Sequence, residues 1–208
     1  MKDTACRAAV VDYGAGNLHS VERALARVGF AAWRAVRPEA LDGADVVVLP
    51  GVGAFGPASR RLREEGFFEA IRAALREGRW LVGLCLGMQM LFEESEEDGT
   101  HEGLGLLAGR VVRLPDGMKV PHMGWNTLTV ARGCPFPLGV RSGEYVYFVH
   151  SFYARAREED TVAWTPYGVR VPAIVAAGRV LGFQFHPEKS GEVGLRLLRG
   201  LAGAVGRS

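Results

Sequence analysis

The sequence predicts an α/β fold, a mainly parallel central sheet flanked by helices, with additional antiparallel strands in the second half. Two textures point there. Up to about residue 94, short continuous apolar runs alternate with stretches whose apolar residues recur at helical spacing. This is the pattern of a parallel sheet covered on both faces. Beyond the acidic segment Glu93-Glu94-Ser95-Glu96-Glu97-Asp98, short strand-like runs follow one another without helices between them. The length, 208 residues, suits one domain. With no internal repeat or low-complexity linker, a single unit over residues 1–208 is expected.

Each element has a local reason. Cys6 to Asp12 is a short apolar run that ends at a glycine turn, and Leu18, Val21, Leu25 and Val28 then mark a helix. Asp45 to Leu49 is β-branched and stopped by Pro50-Gly51, and a helical stretch follows from about Ala58 to Gly78. Trp80 to Leu84 is a third strand, passing directly into a helix expected over Leu86 to Glu94. In the second half, Val111 to Leu114, Thr127 to Ala131, Tyr145 to Tyr153, Val162 to Trp164, Ala173 to Ala177 and Val180 to Phe185 read as hairpin-linked strands. Ala176-Ala177-Gly178-Arg179 reads as a tight turn. A last helix over Glu192 to Val205 places Val193, Leu197, Leu198 and Leu201 on one face, with Ser190 placed to cap it.

Composition excludes several classes. Hydrophobic residues make up 48% and charged residues 23%, far from the composition of disordered chains. The net charge is only +2, so nucleic acid is not an expected partner. No apolar run approaches the roughly 20 residues that span a bilayer, and Met1-Lys2-Asp3-Thr4-Ala5-Cys6 lacks a leader's apolar region. The expectation is a cytoplasmic protein that meets no membrane. Cys6, Cys85 and Cys134 form no C-x-x-C pair, which argues against a disulfide framework and a zinc cluster. No metal site or cofactor is assigned. Arginines number 22 against 3 lysines, while Asn and Gln together number four; scarce amides fit a hot habitat, and GC-rich coding explains the arginines equally well.

Two glycine turns invite chemistry. Gly51-Val52-Gly53-Ala54-Phe55-Gly56 has the G-x-G-x-x-G form of a dinucleotide turn after a strand. Its context weakens that reading: Pro50 precedes it, it is not on the first strand, and no acid ends a second strand about twenty residues on. The alternative use is to aim backbone N–H groups at a developing oxyanion. Gly83-Leu84-Cys85-Leu86-Gly87 has the small-x-nucleophile-x-small form of a nucleophile elbow. Its glycines remove β-carbons that would clash in so sharp a turn. Cys85 then starts a helix, where the dipole favours thiolate, and the Leu86 N–H points toward an oxyanion. Cys6 and Cys134 lack such a setting and are read as structural. Of the five histidines, His19, His101, His122, His150 and His186, the last stands out, because Glu188 lies two residues on at a strand end and can orient the imidazole. Buried structural cysteine and a surface His-Glu contact are the plainer readings of the same residues. The order Cys, His, Glu differs from that of α/β hydrolases.

Gly83-Leu84-Cys85-Leu86-Gly87-Met88-Gln89 with His186-Pro187-Glu188 resembles the class I (triad) glutamine amidotransferases. Four further segments, Asp12 to Leu18, Pro50 to Phe55, Pro121 to Asn126 and Tyr147 to Phe152, resemble within that family the glutaminase subunits of imidazole glycerol phosphate synthase. The likeness runs from about Val10 to Lys189. It implies a glutamine amidotransferase fold and a hydrolysis of L-glutamine to glutamate and ammonia by Cys85, His186 and Glu188. Val52, Gly53 and Leu86 would form the oxyanion hole. Gln89, Glu97, Ser151 and Phe152 would bind substrate. The implied partner is a cyclase subunit with a (β/α)₈ barrel, in a heterodimer that makes imidazole glycerol phosphate and AICAR in histidine biosynthesis. A barrel of that kind adds about 250 residues, so the partner is expected to be a separate chain. Lys189, Trp125 and Tyr147 are the candidates for its interface. Ser151-Phe152 stands where the family pattern has Thr-Tyr, a departure near the substrate that leaves the triad intact. A dinucleotide oxidoreductase and a silent binding subunit remain as alternatives that glutamate release would separate.

Overall fold

A computed structural model describes residues 5–134 and 136–206. The first four residues, part of the segment read as lacking a leader, lie outside the described residues, as does Pro135. Among the described residues the main sheet has eight strands. β1 (Arg7–Val11), β2 (Ala31–Ala35), β3 (Val46–Leu49), β4 (Trp80–Leu84) and β14 (Val180–Phe183) form its parallel part, in the order β2-β1-β3-β4-β14. β13 (Val169–Ala177), β12 (Thr161–Tyr167) and β9 (Thr129–Val130) continue it antiparallel. Gly178 takes φ +54° in the tight β13–β14 connection, where a left-handed residue suits a hairpin.

Both faces of this sheet are covered, as continuous apolar strands require. Val10, Val48, Val82 and Phe183 pack with Leu18, Val21 and Leu25 of α1 (Leu18–Arg27) and with Leu197, Leu198 and Leu201 of α5 (Gly191–Val205). On the other face Val11, Val47, Leu49 and Leu81 meet Leu62 of α2 (Phe55–Glu64) and Phe67, Phe68 and Ile71 of α3 (Phe67–Arg76). Asn17 starts α1 by accepting the Ser20 N–H at 3.3 Å, an N-cap of the preferred kind.

Several boundaries depart from the sequence expectation. The helix expected over 58–78 is two, because Gly66 adopts φ +80° and turns the chain so that α3 can bury Phe67 and Phe68 separately. The helix expected over 86–94 is a single turn, α4 (Leu86–Gln89), and the chain leaves as β5 (Phe92–Ser95). Residues 86 to 92 are all buried, and a run apolar on every side carries no period to distinguish helix from strand. β5 joins a four-stranded sheet, β11-β7-β5-β6, with β6 (His101–Glu102), β7 (Leu107–Arg113) and β11 (Phe152–Ala156). The strand expected over 145–153 divides at Ser151: β10 (Tyr145–His150) pairs antiparallel with β8 (His122–Thr127) as a two-stranded ribbon, and β11 belongs to the four-stranded sheet. β2 escaped notice because Ala31-Ala32-Trp33-Arg34-Ala35 contains no β-branched residue. Ser190 does not cap α5. Its hydroxyl donates to the His186 carbonyl at 2.7 Å and accepts the Tyr147 N–H at 3.0 Å. Among the described residues no helix is long and apolar enough to cross a membrane.

Candidate active site

Ligands of open parallel sheets sit beyond the carboxyl ends of the strands, and β1, β3, β4 and β14 end together there. β3 runs into Pro50, whose carbonyl accepts the hydroxyl of buried Tyr13 at 3.1 Å. β4 runs into Cys85, which has φ 52° and ψ −108°, a backbone region costly for a side chain with a β-carbon. The flanking glycines make the turn possible. A β-carbon on Gly83 would collide with the Gly87 carbonyl, and one on Gly87 with the Leu49 carbonyl at the end of β3. Local sequence therefore dictates the elbow. Because α4 has only four residues, however, it supplies little of the macrodipole a longer helix would have turned on the sulfur.

β14 ends at Phe183, two residues earlier than expected. Pro187, which lacks an N–H, opens a 3₁₀ turn over Pro187–Lys189. That turn, rather than strand alternation, brings Glu188 back onto His186. The His186 Nδ1–H donates to the Glu188 Oε1 at 2.8 Å, with side chains only 5% and 3% exposed. The backbone N–H of His186 donates to the Tyr147 carbonyl at 3.0 Å, tying this segment to β10. Nε2, on the other side of the ring, is buried and, among the described residues, makes no hydrogen bond of full geometry, which leaves it able to exchange a proton. Burial disfavours charge on this imidazole, but attraction to Cys85 and Glu188 outweighs it and raises its pKa to about 9. A thiol, an imidazole and a carboxylate so arranged can attack an acyl carbon and protonate a leaving amine.

Above the sulfur lies a cleft of about 340 Å³, lined by Val52, Gly53, Cys85, Leu86, Gln89, Glu97, Ser151 and Phe152 together with Pro121, Val149 and His150. Its size is at the small end for small-molecule sites, which run from roughly 300 to 1,000 Å³. Every residue expected to bind substrate or form the oxyanion hole lines it. Glu97 also accepts the Phe55 N–H, at the start of α2, at 2.7 Å. The three interface candidates lie outside the cleft and next to one another. The Lys189 ammonium is 6.0 Å from the Tyr147 ring centroid, and the Tyr147 ring is 6.0 Å from that of Trp125, which is 55% exposed. Cys6 and Cys134 stay apart from the cleft, and burial pushes both thiols up.

The sequence reading gave no role to Gln184, His122, His150 or Asn126, yet they are joined around the Phe152 carbonyl. That oxygen accepts Gln89 Nε2 at 2.8 Å and His150 Nδ1 at 2.9 Å. Gln89 Nε2 also donates to Gln184 Oε1 at 3.1 Å, and Gln184 Nε2 donates to the Cys85 sulfur at 3.8 Å. On the other side, His150 Nε2 faces His122 Nδ1 at 2.9 Å, and His122 Nε2 faces Asn126 Nδ2 at 3.2 Å. Because a carbonyl only accepts, His150 carries its proton on Nδ1, so His122 donates from Nδ1 and accepts from Asn126. Both rings are buried and neutral: burial lowers the His122 pKa to about 4, and burial with His122 alongside lowers that of His150 to about 3. The available signal was scarcity. Of four amide side chains in the whole chain, three (Gln89, Gln184 and Asn126) belong to this network.

Comparison with known proteins agrees with this geometry. The family model described as glutamine amidotransferase class-I matches residues 9–199. The chain is 47% identical over 191 residues to the imidazole glycerol phosphate synthase subunit HisH of Caldanaerobacter subterraneus subsp. tengcongensis, covering 91% of this chain and 94% of that one. It is 50% identical over 206 residues to the subunit of the same name from Geobacillus kaustophilus, covering 95% and 97%. A crystal structure of a glutamine amidotransferase superimposes with a TM-score of 0.74 at 26% identity, over 94% of this chain and 98% of that one. The elbow, the mainly parallel sheet that presents it and the extent of these matches agree, and the chain belongs to the class-I glutamine amidotransferase family.

Proposed function

We propose that this chain is the glutaminase subunit of an imidazole glycerol phosphate synthase, one unit over residues 1–208 that passes ammonia from L-glutamine to a (β/α)₈ cyclase partner. The observation that carries the reading is the 2.8 Å bond from His186 to Glu188, with the imidazole coupled in turn to Cys85, which lines the cleft. The Cys85 thiolate attacks the side-chain amide carbon of glutamine. The oxyanion is met by the Leu86 N–H and a backbone N–H of Val52 or Gly53, each aligned donor being worth roughly 3 kcal/mol. His186, held as an imidazolium by Glu188, gives its proton to the departing nitrogen, and ammonia leaves as the C–N bond breaks. Water then attacks the thioester, His186 takes up the proton released, and the C–S bond breaks to free glutamate and restore the Cys85 thiolate beside the His186 imidazolium.

Substrate orientation falls to Gln89, Glu97, Ser151 and Phe152. Gln89 has both N–H groups engaged by Phe152 and Gln184, so its Oε1 is the atom offered to the substrate. Glu97, an acceptor, suits the substrate ammonium. Trp125, Tyr147 and Lys189 receive the cyclase. Support for that partner comes from relatives about half identical along nearly their whole length.

Glutamate release is measured with the chain alone, with the cyclase, and with the cyclase plus its ribonucleotide ligand. Release is expected to rise strongly in the complete mixture and to vanish in Cys85→Ala. No release with a competent cyclase, or full release by Cys85→Ala, would overturn the reading.

A further inference from the structure

The His186 imidazolium favours the Cys85 anion, but a one-turn helix adds little, and the groups touching the sulfur itself decide the rest. Besides His186, the Cys85 sulfur has, among the described residues, two further polar contacts with opposite preferences. As a thiol it donates to the Val149 carbonyl at 3.7 Å, and that oxygen opposes a negative sulfur. Gln184 Nε2, at 3.8 Å, donates to the sulfur and bonds more strongly once it is charged. Gln184 is fully buried, on the segment between β14 and His186, with its backbone N–H donating to the Ala173 carbonyl at 2.9 Å.

Its amide has only one satisfactory orientation. The Phe152 carbonyl requires a donor and fixes Gln89 Nε2 toward itself; Gln89 Nε2 then requires an acceptor, which fixes Gln184 Oε1 toward Gln89. The remaining atom, Nε2, is thereby turned on the sulfur. We propose that Gln184 is a catalytic residue, the hydrogen-bond donor that stabilises and positions the Cys85 thiolate, with Gln89 and the Phe152 carbonyl holding its amide in the donating orientation. The proposal rests on Cys85 being the nucleophile. It gives Gln89 a second task besides meeting substrate, and it explains why an amide stands in the apolar run Val180 to Phe185.

The test reads thiol chemistry apart from turnover. The rate of Cys85 alkylation by iodoacetamide is followed against pH, by mass spectrometry of the Cys85 peptide, in the chain alone and with the cyclase. Wild type is compared with Gln184→Met, which keeps size and removes the donor, and with Gln184→Glu, which replaces it by an acceptor. Folding is checked by thermal melting. The alkylation midpoint is expected to rise by about one pH unit in Gln184→Met and further in Gln184→Glu. Below the midpoint kcat should fall roughly three- to fourfold for each pH unit of that shift, because the lost thiolate fraction is partly offset by the greater nucleophilicity of a more basic sulfur, with KM little changed. Gln89→Met, which releases the Gln184 amide, should give a smaller rise of the same sign. A melting temperature that falls while the midpoint and kcat stay at wild-type values would overturn the proposal and leave Gln184 a packing residue. If Gln184→Met does not fold, an unmoved midpoint in Gln184→Glu suffices for the same conclusion. Loss of turnover in Cys85→Ala with unmoved midpoints in the Gln184 variants sinks this proposal alone; full turnover by Cys85→Ala sinks the glutaminase reading itself.

Discussion

Acid should unfold this protein through the buried histidine pair behind the cleft. His122 and His150 are 3% and 6% exposed, hydrogen-bonded to each other at 2.9 Å, with pKa values lowered to about 4 and about 3. In the unfolded chain both titrate near pH 6.5. Between that value and about 4 the unfolded state therefore binds up to two protons more than the folded state, and stability falls as pH falls. Each proton is worth up to about 1.4 kcal/mol per pH unit, so the pair contributes at most roughly 2.7 kcal/mol per unit. From pH 6.5 to 4.5 the ceiling is about 5 kcal/mol, set against a typical stability of 5–15 kcal/mol. The assay is urea unfolding at half-unit steps across this window, for the wild type and for His122→Asn. The variant should lose up to about 1.4 kcal/mol per pH unit of slope, with reduced stability at pH 7. A slope identical to wild type in a folded His122→Asn would refute the reasoning, because it would mean that His122 takes up no extra proton on unfolding.

The proposed role of the His186–Glu188 pair has its own pH signature. Because the His186 pKa is raised to about 9, the acid form that protonates the leaving nitrogen is lost above that value, and kcat should decline through an alkaline limb near pH 9. Glu188→Gln removes one cause of the raised pKa; kcat at neutral pH should fall by roughly 10²–10⁴ and the limb should move to lower pH, read from pH–rate profiles of the complex. Gly87→Ala drives a β-carbon into the Leu49 carbonyl; a cost of about 1–3 kcal/mol, seen as a melting point several degrees lower, should accompany a larger loss of glutaminase activity. Tyr13→Phe removes the bond to the Pro50 carbonyl and leaves that oxygen buried, at about 1–3 kcal/mol; kcat should drop more than KM rises, since Pro50 leads into the Val52-Gly53 peptide.

The elbow at Cys85 and the pairing of His186 with Glu188 were readable because each depends on neighbours in sequence: glycines two residues to either side of Cys85, and a carboxylate two residues from His186. The central parallel strands β1, β3 and β4 were readable for a related reason, since strands buried on both faces are apolar throughout; β2, half-exposed at the edge, was not. What escaped depends on distant partners. Gln184 lies 95 residues from Gln89 and 99 from Cys85, and only the folded chain shows that its amide faces a sulfur. The division of Tyr145 to Tyr153 between two sheets is set by which strands, β8 and β7, lie alongside each half. The break at Gly66 had a local cue, a glycine within a helical pattern. The expected helix after Gln89 had none against it, because Met90, Leu91 and Phe92 are as apolar in a strand as in a helix.

The double acceptor at position 152 belongs to the main chain, so its influence does not depend on which side chain is attached there. Any residue that keeps β11 in register presents the same oxygen, and with it the same direction for every proton from Asn126 in one sense and toward the sulfur in the other. The side chains that stand at 151 and 152 therefore leave the wiring untouched. Side chains lining the cleft can change at these two positions while the centre beside it keeps its polarity.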